Sequence, residues 1–241
     1  MSGFVDLHVH YLPAVDDGVR TFEQGLMLCQ ALHRLGYAQT VTTPHIRTAM
    51  FDNRRENLEP AFAAFCERAA GEPDMPELGL SAEHFCDDVF WELFVAGQTL
   101  PYPGGHAALI EFPETTFPIG IEQRFFEMRL RGVSPVLAHP ERYRPCFRNT
   151  DPLDQMLDAG LMLQLDLMSL TGRYGRRPRL AAERMLDEQV YYLACSDCHR
   201  PEDVGTVAEA IERLFDRADE DYANLLLRDH PAGLLAGDID V

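Results

Sequence analysis

The chain is short of basic residues, and its apolar residues never form a long run. It contains no lysine, and its 21 arginines stand against 39 aspartates and glutamates, which gives a formal net charge of −18. A face for a polyphosphate backbone is therefore not expected. No apolar run is long enough to span a bilayer, and no basic and apolar leader precedes the first strand candidate. We expect a cytoplasmic protein that neither binds nucleic acid nor inserts into a membrane.

Cysteine is present, but its pattern indicates little chemistry. Six cysteines in 241 residues do not suggest a disulfide framework. Cys195 and Cys198 have the C-x-x-C spacing of redox proteins. Asp197 and His199 interleave with that pair and explain the segment better, so buried structural thiols are the favoured interpretation.

The length and the order of elements predict one α/β domain. A chain of 241 residues with 46% hydrophobic residues can bury one sizeable core. Short apolar runs alternate with helical patterns along the chain. The strand candidates are Phe4–Val9, Ala38–Thr43, Leu78–Glu83, Ala107–Phe112, Val133–Ala138, Met162–Leu167 and Tyr191–Ser196. Seven β-then-α units in series predict a parallel sheet curled into a barrel.

Helices are predicted between most of these strands. The first, Thr21–Leu35, opens with Thr21 and Gln24 in the spacing of a capping box and ends at Gly36. The others are Asn53–Ala70, Ile121–Arg131, Pro152–Ala159, Pro178–Glu188, Glu202–Ala218 and Tyr222–Arg228. We predict that the domain covers residues 1–229 and that residues 230–241 form a loose C-terminal tail.

Residue types that bind metals gather at the ends of the predicted strands. His8 and His10 are two apart on a strand, so their side chains share a face. Asp197 and His199 repeat this spacing at the end of the last strand. Because the first and last strands of a closed barrel are neighbours, the two pairs would meet. Parallel strands place their carboxyl ends at one edge, where α/β proteins carry their chemistry. The pattern predicts a multinuclear metal centre.

Other strand ends carry single candidates for the same centre. Glu83 and Glu111 end apolar strands, although either acid alone would also suit a solvent-facing position. His45 and His139 each lie beside a proline, which keeps them at strand ends. Asp17 precedes Gly18 and can equally be a turn residue.

The order of these motifs resembles the PHP (polymerase and histidinol phosphatase) superfamily. Between about Val5 and His199 the chain carries, in this order, the motifs H-x-H, D-G, T-P-H, a strand-end Glu, E-F-P, A-H-P-E-R, S-L-T-G-x-Y-G and S-D-x-H. Within the superfamily, the chain looks most like bacterial metal-dependent tyrosine phosphatases encoded with capsule and exopolysaccharide genes. Glu111–Pro113, Ala138–Arg142 and Ser169–Gly172 carry the specific part of the likeness.

This resemblance implies a distorted seven-unit (β/α) barrel with up to three divalent ions at its mouth. It assigns ligands to the first ion as His8, His10, Glu83 and Asp197, to the second as Glu83, Glu111 and His139, and to the third as Asp17, His45 and His199. Nitrogen and oxygen ligands together suit Mn, Fe or Zn, and manganese is the metal that the resemblance favours.

The resemblance also implies that Arg142 contacts phosphate. Relatives often carry a second arginine several residues beyond D-x-H, where this chain has Val204. Arg200, directly after His199, is the candidate to replace it.

The implied activity is that of a protein-tyrosine phosphatase whose partner is a phosphorylated tyrosine kinase of polysaccharide export. Divalent ions would lower the pKa of water and neutralise phosphate charge. A cysteine-dependent route would need an arginine six positions after the nucleophile. Those positions hold Leu35, Glu72, Glu92, Pro152, Pro201 and Val204. The alternatives are a small-molecule phosphatase of the histidinol-phosphatase type and a non-catalytic metal-stabilised binding protein.

Overall fold

Parallel strands in two sheets form the centre of the computed structural model, which describes residues 3–239. The strands are β1 (Phe4–Val9), β2 (Tyr37–Thr42), β3 (His45–Ile46), β4 (Glu77–Leu80), β5 (Glu83–Phe85), β6 (Ala107–Glu111), β7 (Ser134–Ala138), β8 (Met162–Asp166) and β9 (Leu193–Cys195). One sheet has the order β1-β2-β4, and the other has the order β3-β5-β6-β7-β8-β9. The predicted α/β class with parallel strands is confirmed.

Two of the predicted strand regions are interrupted. The chain leaves β2 at Thr42 and resumes as β3 at His45, and the predicted strand Leu78–Glu83 is divided between β4 and β5. Pro44 lies in the first interruption and cannot donate a backbone hydrogen bond to a ladder. Beyond the interruptions β3 pairs with β5, with His45 opposite Glu83. The two predicted ligands are thereby brought onto neighbouring strands.

Hydrogen bonds also join the first strand to the residues after the last. The amide of His10 donates to the carbonyl of Cys198 (2.9 Å), and the amide of Asp197 donates to the carbonyl of His8 (2.9 Å). The expected proximity of the first and last strands is confirmed, and it joins the two histidine-containing pairs.

The helices are α1 (Phe22–Arg34), α2 (Arg55–Ala69), α3 (Asp88–Val95), α4 (Ile121–Leu130), α5 (Asp154–Asp158), α6 (Arg176–Asp187), α7 (Val204–Arg217), α8 (Glu220–Asn224) and α9 (His230–Ala236). The predicted capping box is present, since Thr21 and Gln24 bond reciprocally at the start of α1. The sequence prediction missed α3, a short helix capped by Asp87. None of the helices in the described range has the length and apolar character of a membrane span.

Most of the segment predicted as a loose tail is helical. Residues 230–236 form α9, and Leu234 packs in the same apolar cluster as Val5 and Ala107, which lie at the starts of their strands. Burial of its apolar face stabilises α9, although Pro231 and Gly233 within it have low helix propensity. Residues 240–241 of the predicted tail lie outside the described residues.

Candidate metal centre

A β-bulge turns the first histidine pair toward the site. Val5 and Leu7 belong to the apolar cluster inside the strands, whereas Val9 belongs to the outer cluster under the helices. Between Asp6 and Val9 the register with β2 shifts by one extra residue on β1. A bulge of this kind changes which face a side chain occupies. As a result, His8 and His10 lie on the same side of the sheet as Val5 and Leu7, toward the site.

The backbone conformation also explains the positions of three other candidate ligands, Glu111, His139 and Asp197. Ala107 and Leu109 point inward from β6, and Glu111 is in phase with them. Asp197 and His139 have positive φ values of 50° and 40°, a conformation that is unfavourable for residues other than glycine. Such strain is concentrated at functional sites, where the surrounding structure holds it in place.

Glu83 lies at the centre of the converging side chains. Its Oε2 is 3.1 Å from His8 Nε2 and 3.2 Å from His45 Nδ1, and its Oε1 is 3.0 Å from His139 Nε2. The side chain of Glu83 is only 1% exposed. One buried carboxylate thus faces three imidazoles from three different strand ends, which suits a bridging ligand.

Three more carboxylates contact the histidines of the cluster. Asp197 Oδ1 is 3.1 Å from His8 Nε2 and 3.4 Å from His10 Nε2. At the open side, Asp17 Oδ1 is 3.5 Å from His45 Nε2 and 3.4 Å from His199 Nε2. In addition, Glu111 Oε1 is 3.4 Å from His45 Nδ1. The structure therefore brings all the candidate ligands together.

Several buried atoms in this cluster have no hydrogen-bond partner in the described structure. They are His10 Nε2, His45 Nδ1, Glu111 Oε1, His139 Nδ1 and Asp197 Oδ1. Buried polar atoms are normally satisfied, and groups of unsatisfied ones require an explanation such as an ion. The donor set of imidazoles and carboxylates fits a divalent transition metal. The cluster can therefore hold divalent metal ions.

The atoms that lie close enough to share an ion form three groups. These groups are His10, Asp17, His45 and His199; His8, His10 and Asp197; and His45, Glu83 and Glu111. The first contains the whole set expected for the third ion. The second contains most of the set expected for the first ion. In the last group His45 takes the place expected for His139, which instead contacts the other oxygen of Glu83.

The carboxylates and imidazoles of the cluster shift one another's pKa. Burial opposes ionisation of Glu83, but the imidazoles of His8 and His45 outweigh burial and hold the pKa of Glu83 well below its usual value. Conversely, burial lowers the pKa of His8, but Asp197 and Glu83 outweigh it and raise that pKa to about 10. The site favours a positive charge, which a bound cation would supply in place of protons.

Two residues that the sequence prediction missed orient the first histidine pair. Gln164 Oε1 lies 2.6 Å from His8 Nδ1, and Asp16 Oδ2 lies 2.8 Å from His10 Nδ1. Partners of this kind fix the tautomer and leave Nε2 available as a ligand. Gln164 could have been found, because it is a polar residue within the apolar strand β8.

The predicted phosphate arginines lie beside the cluster, around a cavity of about 360 Å³. Arg142 Nη1 is 2.8 Å from Asp197 Oδ2 and 3.4 Å from Asp166 Oδ2. Arg200 is exposed at the cavity, and its backbone N–H donates to Asp203. Both arginines are thus placed where a group entering the cavity would meet them.

The fold and the convergent ligands define a candidate metallohydrolase of the α/β class. The chain belongs to the CpsB/CapC family of capsular polysaccharide synthesis, whose model matches residues 4–236. The sequence-based resemblance to capsule-type tyrosine phosphatases is confirmed.

Comparison with individual proteins supports the same family. The tyrosine-protein phosphatase YwqE of Bacillus subtilis is 28% identical over 198 residues, which cover 81% of this chain and 77% of the relative. The tyrosine-protein phosphatase CpsB of Streptococcus agalactiae is 25% identical over 240 residues, covering 94% of this chain and 99% of the relative.

Solved structures extend the comparison. A chain from the crystal structures of YwqE and of CpsB from Streptococcus pneumoniae, described as unique metal-dependent tyrosine phosphatases, matches with a TM-score of 0.89 at 25% identity. The match covers 97% of this chain and 94% of that one. The phosphotriesterase homology protein of Escherichia coli matches with a TM-score of 0.59 at 12% identity, covering 96% of this chain and 98% of that one. The second likeness concerns the fold alone.

Proposed function

We propose that this chain is a metal-dependent protein-tyrosine phosphatase. The observation that carries the proposal is the set of buried imidazoles and carboxylates that converge around Glu83, several of whose atoms have no hydrogen-bond partner in the described structure. Family membership supports the same activity, because the relatives named above are tyrosine-protein phosphatases. We further propose that the partner is a phosphorylated tyrosine kinase of polysaccharide export and that the protein acts in the cytoplasm.

The proposed centre contains up to three divalent ions, with manganese favoured. Its ligands are His8, His10, Asp17, His45, Glu83, Glu111, His139, Asp197 and His199. When bound, such ions lower the pKa of water and neutralise phosphate charge. The side chains of this protein would hold the ions, and Arg142 would bind the phosphate with support from Arg200. A tyrosine leaving group, with a pKa of about 10, departs without a strong general acid.

The proposed architecture is a distorted seven-unit (β/α) barrel within residues 1–229. Counting β2 with β3, and β4 with β5, as single interrupted strands gives this number. The hydrogen bonds between β1 and the residues after β9 support closure of the ring.

Metal removal and replacement test the proposal. The purified protein should hydrolyse a phosphotyrosine peptide, lose this activity on treatment with a chelator and recover it on reloading with Mn, Fe or Zn. His139→Ala should reduce kcat far more than tenfold, which corresponds to more than about 1.4 kcal/mol in the barrier, because it removes a partner of the central carboxylate. His33→Ala, a histidine on α1 that bonds to a backbone carbonyl, is the matched control.

Three results would contradict the proposal. Activity that survives complete metal removal would exclude metal dependence. Preference for histidinol phosphate over the peptide would indicate a small-molecule phosphatase. Absence of turnover with every metal would leave a metal-stabilised binding protein.

A further inference from the structure

The segment between β8 and α6 supplies the apolar lining of the cavity. Met168 and Tyr174 belong to this segment, whereas the other residues described around the cavity are charged or are histidines. Gly172 and Gly175 have φ values of 84° and 101°, which glycine adopts without strain. They allow the chain to reverse on either side of Arg173 and Tyr174 and bring the tyrosine to the cavity.

Tyr174 contacts the proposed phosphate arginine directly. The Arg142 Cζ lies 4.5 Å from the centre of the Tyr174 ring, a distance at which a guanidinium is attracted to an aromatic face. Asp166, which accepts from Arg142 at 3.4 Å, also interacts with the Tyr174 side chain. Tyr174, Asp166 and Arg142 therefore form one connected unit.

The second contact of Arg142 explains why such support matters. Its Nη1 is 2.8 Å from Oδ2 of Asp197, whose Oδ1 faces His8 and His10. An unsupported guanidinium could turn fully toward Asp197 and compete with the proposed ions for this carboxylate. The ring of Tyr174 lies over Arg142 and limits that movement, so that guanidinium donors stay available to phosphate.

We propose that Tyr174 positions Arg142 and forms, with Met168, an apolar wall that favours aryl over alkyl phosphates. The inference rests on the proposed phosphatase function and extends it to the choice of substrate. A phenyl ring beside a tyrosine ring gains from offset or edge contacts. The side chain of a phosphoserine has no ring to place there.

Binding of two non-hydrolysable ligands tests this inference apart from turnover. Calorimetry on the metal-loaded protein should show tighter binding of phenylphosphonate than of methylphosphonate, by about tenfold. Tyr174→Ala should reduce this ratio to about twofold or less and should weaken binding of both ligands severalfold, because Arg142 is no longer held. Tyr174→Phe keeps the ring and should preserve most of the ratio. Phe126→Leu, which alters an exposed aromatic residue on α4, is the matched control.

The metal content and kcat/KM of the same variants complete the test. Tyr174→Ala should keep its metal and lower kcat/KM for a phosphotyrosine peptide by about tenfold, mainly through KM. An unchanged phosphonate ratio, or loss of metal from Tyr174→Ala and Tyr174→Phe alike, would overturn the inference. If phosphonate selectivity holds but the wild type cleaves no phosphotyrosine peptide, the proposed function fails instead.

Discussion

At the scale of single residues, the site depends on carboxylates that divide their two oxygens between different partners. Glu83 presents Oε2 to His8 and His45 and Oε1 to His139. Asp197 presents Oδ1 to His8 and His10 and Oδ2 to Arg142. This division links the proposed metal ligands to the proposed phosphate contact, so that a substitution at one affects the geometry of the other.

Arg142→Lys tests the phosphate contact at this scale. Lysine keeps the positive charge but lacks the planar fork that binds two oxygens at once. We expect kcat/KM for a phosphotyrosine peptide to fall at least about tenfold while the metal content, measured by mass spectrometry, stays constant. Arg217→Lys is the control, because Arg217 uses the same fork on the surface carboxylate of Asp187. Equal kcat/KM in the two variants would reject a phosphate role for Arg142.

At the scale of elements, local irregularities put the ligands in place. The bulge in β1 directs His8 and His10 to the site, and the interruption at Pro44 creates the pairing of His45 with Glu83. The regular elements mainly provide support. The capping box that begins α1 shortly after Asp17 is an example.

Thr21→Ala tests the support that this cap gives. The Thr21 hydroxyl accepts the backbone N–H of Gln24 at 3.3 Å, and loss of such a cap costs about 1 kcal/mol. Urea denaturation should show a decrease of that size in the free energy of unfolding. Thr21→Ser, which keeps the hydroxyl, should lose little. A decrease equal to that of Thr21→Ala in the serine variant would argue against the cap as the cause.

At the scale of the whole molecule, the acidic balance and the buried ligands couple metal binding to stability. The chain carries a net charge of −18. Within the centre, buried carboxylates and histidines lie in direct contact. A bound ion stabilises only the folded chain, since the unfolded chain does not gather these ligands.

Chelation should therefore lower the Tm. One ion at a free concentration of 100 times its Kd stabilises by about 2.7 kcal/mol, which corresponds to about 5–10 °C for a chain of this size. Scanning calorimetry before and after chelation measures the change. His10→Ala should show a smaller difference between the two states, because it already lacks a ligand. An identical Tm with and without metal would show that the centre does not bind ions tightly.

The sequence by itself determined the features that depend on local pattern. Apolar runs ending in His10, His45, Glu111 or His139 identified strands and the ends at which they carry ligands. Both features depend on consecutive residues and can therefore be recognised from local sequence. The spacing of Thr21 and Gln24 identified a helix start for the same reason. The order of the motifs then identified the family.

The tertiary structure decided what depends on residues distant in the sequence. Gln164 meets His8, and Tyr174 meets Arg142, only after different strands have been brought together. The change of face in β1 follows from its register with β2, which the spacing of histidines does not reveal. Likewise α9 forms because Leu234 finds an apolar cluster made by strand starts elsewhere in the chain. Local propensity is weak compared with burial, so such contacts exist only in the assembled fold.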